Sequence, residues 1–147
     1  MTTEDSSTIN AKNGHAQCLL CGDQNPWSLK LCFQAGDDGV IKARFQAHSA
    51  LQGYDDVLHG GVIAALLDAA MTHCLFHHGV QAVTGDLHVR FVQPVSCNAT
   101  LEIHAWMLSS TPPVYRSRAE IIHEKRVMAW AEAKFMQRRS LRASLQG

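Results

Sequence analysis

His59-Gly60-Gly61 opens a long apolar run over residues 62–76 that carries a single carboxylate, Asp68. A carboxylate in an otherwise apolar, buried helix is costly to desolvate, so it is either neutralised by a partner or kept for chemistry. The glycines ahead of it allow close backbone approach, and the N–H groups of a first helical turn lack intrahelical partners. Gly60 and Gly61 can therefore offer donors to a developing anion, the outline of an oxyanion hole. The same residues also read as a tight loop-to-helix connection capped by His59. Asp68 likewise reads as a carboxylate hydrogen-bonded to a neighbouring strand or to Thr72 one turn on.

Spacing constrains what these residues can do together. Asp68 follows Gly60 by eight residues, which is about 12 Å along one axis at a rise of ~1.5 Å per residue. One helix cannot bring both groups to one carbonyl. If both act on the same substrate, the second comes from another copy of the chain, with two helices antiparallel across a two-fold axis. That arrangement gives two equivalent sites per dimer.

The positioning elements follow from pattern. Residues 60–77 are Ala- and Leu-rich and closed by Gly79, which predicts a helix, apolar on most faces and hence buried. Ahead of it, residues 29–34 and 40–45 alternate apolar and polar around turn-forming residues 35–39, which predicts a hairpin. After it, strands are predicted at 84–92, 100–108, 115–123 and 127–137. Their turn signals are Pro94-Val95-Ser96, Pro112-Pro113 and the surroundings of Glu124-Lys125. This order predicts an α+β fold, an antiparallel sheet wrapped around one long central helix.

Composition narrows the function classes. The 147 residues, 46% hydrophobic, suit one domain with a sizeable core. Residues 1–14 are polar and predicted to be flexible, residues 15–138 to form the domain, and residues 139–147 a basic tail. Lys plus Arg equals Asp plus Glu at 13 each, without the basic excess of a nucleic-acid binder, so no nucleic acid is expected as partner. No run approaches the roughly 18 uninterrupted apolar residues of a spanning helix, so no membrane span is expected. The polar N-terminus is not signal-like, and the five cysteines show no disulfide-framework spacing. A cytoplasmic protein with reduced thiols is predicted.

The stretch from Val57-Leu58-His59-Gly60-Gly61 through Leu67-Asp68-Ala69-Ala70-Met71 resembles the HGG helix of hotdog-fold acyl-CoA thioesterases of the PaaI-like type, with the acid at that family's spacing. The run Val83-Thr84-Gly85-Asp86-Leu87-His88-Val89-Arg90-Phe91-Val92-Gln93-Pro94 is similar to the strand that follows the helix there. The resemblance covers about residues 18–136. It implies a homodimer, or a dimer-of-dimers tetramer, acting on a coenzyme A thioester. The Gly60 amide polarises the carbonyl, and Asp68 of the neighbouring subunit serves as general base or nucleophile. Thr84 falls where the family often carries a hydroxyl that positions water, and a plain strand-former there is the alternative. Relatives place an Asn in the loop before HGG; this chain has Gln52, Asp55 and Asp56, leaving Gln52 as the substitute. Gly61 lines the same site, and His59 holds the loop or lines the carbonyl site, with no Ser or Cys partner for a triad. Arg90, Arg138, Arg139 and Arg142 are the candidate phosphate contacts.

Thiolate is a good leaving group, so one base and one or two N–H donors suffice, and no cofactor or metal is required. Cys18-x-x-Cys21-Gly22, with His15 and Cys32 nearby, has zinc-ligand chemistry, but a single CxxC without a matched second pair is a weak signal. Its family reading is a lead-in to the first strand, together with Asn25-Pro26. His77-His78 reads as helix C-terminal cations ahead of metal ligands. Two further functions fit the same residues: a hydratase or dehydratase using His59 with Asp68, and a non-catalytic acyl-CoA sensor.

Overall fold

The computed structural model describes residues 14–137. The predicted flexible terminus and basic tail, with Arg138, Arg139 and Arg142, lie outside the described residues except at Gly14.

Helix α1 spans Gly60–His77. His59 stands before it in extended geometry (φ −59°, ψ 132°) and caps it through its side chain. At the other end Gly79 takes a left-handed φ of 73°, and the N–H groups of Gly79 and Val80 close on Phe76 O and Leu75 O at 2.9 Å each. A residue with a Cβ would be strained at that φ, so glycine ends the helix there.

Six antiparallel strands wrap the helix: β1 Gln34–Ala35, β2 Ile41–Gln46, β3 Ala82–Phe91, β4 Thr100–Thr111, β5 Val114–His123 and β6 Arg126–Gln137. Their order is β1-β2-β4-β5-β6-β3. β3 follows the helix in sequence yet lies at the sheet edge, bonded only to β6.

The helix sits close because the sheet beneath it is small-sided. Ala105, Ala119 and Ala131 are in register on adjacent strands and fully buried. Leu66, Leu67, Ala70 and Met71 pack onto this face from α1, with Ile41, Leu101, Ile103, Ile121 and Phe135 filling the flanks. By length and composition α1 could cross a membrane (18 residues, hydropathy 1.3), but 56% of it is buried, as befits the core helix of this fold.

The first predicted strand is corrected. Residues 29–33 do not join the sheet, and β1 is only two residues long. Leu29 N–H and Leu31 N–H instead donate to Leu19 O and Leu20 O, at 2.9 and 3.0 Å. Alternation there reflects pairing with the lead-in, which satisfies the same backbone groups. The other five strands and the helix fall where predicted, within a few residues. All five cysteines are free thiols.

Replacing Ala119 with Leu should force the helix away from the sheet and lower the unfolding free energy by about 1–3 kcal/mol. Leu66→Ala, which leaves a cavity, should lower it by about 2–5 kcal/mol. Urea unfolding midpoints at fixed protein concentration check both.

Candidate active site

The first turn of α1 uses one of its glycine donors and leaves the other. Gly61 N–H donates to His59 Nδ1 at 2.8 Å, while Val62 and Ile63 N–H both donate to His59 O. A Cβ on Gly61 would meet that ring at 3.0 Å, so glycine keeps the cap in place. The Gly60 N–H has no partner among the described residues, which leaves it the donor available to an anion. Nδ1 of His59 is thus engaged as a backbone acceptor. The capping reading of His59 is therefore correct, and Gly61 serves that cap rather than offering a second donor.

Asp68 is half-buried rather than fully buried, because the helix face it shares with Gly61, Ala64, Ala65 and Thr72 is left uncovered. Its Oδ1 accepts a hydrogen bond of 2.6 Å from Thr84 Oγ1. Thr72 reaches only the Asp68 backbone carbonyl, at 3.0 Å. Asp68 and Thr84 are thus brought together, with Thr84 on β3 as the strand partner.

Strand parity alone would put Thr84 on the wrong side. Leu87, Val89 and Phe91 pair with the buried Ala133, Ala131 and Ala129 and so face the helix. Simple alternation would send Thr84 outward with Asp86, His88 and Arg90. The register shifts between Thr84 and Asp86, where Thr84 pairs with buried Phe135 but Asp86 with exposed Lys134. This bulge at Gly85 restores Thr84 to the helix side, the usual effect of one extra residue in a strand.

The other candidates fall in different places. Gln52 lies in the groove beside His59 and Gly60, where its Oε1 accepts from Asp56 N–H at 3.2 Å and so braces the loop. Arg90 sits opposite Trp130 on the helix-free face, away from Asp68 and Gly60 of its own chain. Cys74 is buried, and burial pushes its thiol up to about 11, which removes it as a nucleophile. His78 Nδ1 bonds Cys74 O at 2.9 Å, so it serves the helix C-terminus.

Sequence reasoning missed His73. It is 2% exposed, stacked on Phe33 with centroids 4.5 Å apart, and burial pushes it down to about 4. Its only signal is a histidine one turn beyond Asp68 on a buried helix. With Asp68, Thr72, Cys18 and Cys21 it lines a cavity of about 100 Å³.

Edge strand β3 carries apolar side chains left open: Val83, Leu87, Phe91 and, just beyond it, Val92. The Phe91 ring lies 3.5 Å from the position of a Cβ built on Gly60. The open face of α1 and the open edge of the sheet thus form one continuous surface.

Comparison with solved structures finds the same architecture. A thioesterase superfamily protein superposes with a TM-score of 0.78 at 20% identity over 82% of this chain, which spans 60% of that protein's length. A phenylacetic acid degradation-related protein from Ralstonia eutropha gives 0.66 at 21% identity, covering 74% of this chain and 85% of that one. The PaaI protein of the E. coli phenylacetic acid degradation operon gives 0.68 at 19%, covering 74% and 80%. No curated protein sequence matches the chain. The sequence model of the thioesterase superfamily matches residues 55–129, just over half of the chain and inclusive of His59, Asp68 and Thr84. With its antiparallel sheet around one long helix, the chain is a hotdog-fold member of the thioesterase superfamily.

Proposed function

We propose that the protein hydrolyses acyl-CoA thioesters at two equivalent sites in a dimer, each built from Gly60 of one subunit and Asp68 of the other. The observation that carries this reading is the pairing of two half-sites on one open surface. Gly60 has an unused N–H at the helix start, and Asp68 is oriented by Thr84 two turns on. The unpaired edge of β3 runs beside both.

An edge strand with exposed apolar side chains is a template for pairing. Two β3 edges joined about a two-fold axis continue the sheet and set the two α1 helices antiparallel. Asp68 of one subunit then faces the Gly60 end of the other. The Gly60 N–H takes the charge that develops on the carbonyl oxygen, helped by the positive end of the helix dipole. The Asp68 carboxylate either accepts a proton from water as it adds to the carbonyl, or adds to the carbonyl itself to give a mixed anhydride that water then cleaves, releasing the acid and restoring the carboxylate. In both cases the C–S bond breaks and coenzyme A leaves as thiolate.

The dehydratase reading requires a histidine base. His59 Nδ1 is occupied by the Gly61 N–H and is not free to act as that base, which favours hydrolysis.

Asp68→Asn should reduce thiol release from a panel of short, long and aryl acyl-CoAs by at least ~100-fold without loss of fold. Gly60→Pro removes the donor yet suits the first helical position and the extended His59 before it. It should cost about 10²–10³ in turnover, the usual loss for one oxyanion donor. His59→Asn keeps a capping acceptor and should retain most activity, whereas His59→Leu should lower stability by about 1 kcal/mol. Leu87→Arg should yield monomers by light scattering and abolish turnover.

A further inference from the structure

The lead-in to the fold carries His15, Cys18 and Cys21 at three-residue spacing, His-x-x-Cys-x-x-Cys. Two successive turns draw them together: Cys18 N–H donates to His15 O at 3.0 Å, and Gly22 N–H to Cys18 O at 2.9 Å. One ligating atom from each residue lies within 4.8 Å of the other two, and Cys21 Sγ stands 3.7 Å from His15 Nδ1. Tetrahedral zinc, with Zn–S near 2.3 Å and Zn–N near 2.0–2.1 Å, spaces its ligand atoms about 3.5–3.8 Å apart.

The turn is built around the sulfurs. Leu20 N–H points at Cys18 Sγ at 3.4 Å. A Cβ on Gly22 would lie 2.5 Å from both Ala16 O and Cys18 N, so only glycine closes the loop after the second cysteine. Backbone bonds from Leu29 and Leu31 to Leu19 and Leu20 fix the loop against the segment leading into the sheet.

A second observation comes from the helix side. The three residues share their small cavity with His73, whose two ring nitrogens are buried and have no hydrogen-bond partner. A buried polar group left unsatisfied costs about 1–3 kcal/mol, so its presence on the cavity wall calls for an occupant that can hydrogen-bond. Cys32 is exposed and lines a different groove, so it is not part of the cluster.

We propose that His15, Cys18 and Cys21 bind one zinc ion, whose fourth position opens into the cavity and holds a water that donates to His73. Two thiolates and an imidazole select zinc over the oxygen-seeking magnesium and calcium. Binding displaces the two thiol protons to solvent. The ion ties the lead-in to α1 beside Asp68.

The test uses the full chain without a polyhistidine tag, its thiols confirmed reduced by titration. After loading with Zn²⁺ and gel filtration, metal analysis should find about one ion per chain. Cys18→Ser and Cys21→Ser should each lower this at least tenfold, and Cys32→Ser should leave it unchanged. Co²⁺ loaded into the unmutated chain should show thiolate-to-cobalt charge-transfer absorption, a readout independent of whether the variants fold. Less than a tenth of an ion per chain, or full retention in the Cys18→Ser/Cys21→Ser double variant, would overturn the proposal. Metal content is read separately from thiol release, so neither outcome decides the thioesterase reading.

Discussion

The constraint on which the rest depends is the rigidity of α1. A helix fixes Gly60 and Asp68 on one rod, about 12 Å apart at ~1.5 Å per residue, and no side-chain motion closes that gap to a hydrogen bond. Everything around the helix serves its orientation. The alanine rows of β4, β5 and β6 let it lie close on the sheet, His59 and Gly79 set where it starts and stops, and the sheet covers one side of it only. The uncovered side carries Gly61, Ala65, Asp68 and Thr72, small or polar residues that a second helix can approach. In the proposed reading, a monomer built this way holds two halves of different sites.

β3 links the two halves. Its bulge at Gly85 turns Thr84 to the Asp68 carboxylate, and its far end brings Phe91 against Gly60. The same strand is the open edge of the sheet, so in the proposed dimer the element that orients the acid is also the one that meets a second copy. Loss of pairing at that edge and loss of chemistry are therefore expected together.

Much of this was legible in the sequence, for physical reasons that differ from element to element. The helix was readable at both ends because a capping residue and glycines bracket an uninterrupted apolar run, and β4 to β6 because their alternation faces a single core. The first strand was misread because alternation reports burial on one face and not the partner that supplies the hydrogen bonds. Asp68 was expected to be fully buried because the apolar pattern of α1 does not say whether its cover belongs to the same chain. Thr84 needed the family resemblance, since plain alternation points it outward and only the glycine inside the strand hinted at a bulge. The place of Arg90 on the helix-free face was legible from the same alternation, which opposes it to Phe91. His73 was invisible as a member of a cluster, because its neighbours come from a lead-in more than fifty residues away.

The central claim, that each site draws on two chains, is tested most directly by mixing two inactive variants. Asp68→Asn and Gly60→Pro subunits are co-expressed or allowed to exchange, and heterodimer formation is confirmed by mass. In a heterodimer both lesions fall in one site and the other site is intact. An equal mixture should therefore recover roughly one quarter of the unmutated turnover, since about half the dimers carry one working site of two. A mixture of confirmed heterodimers no more active than its two parents would contradict the account.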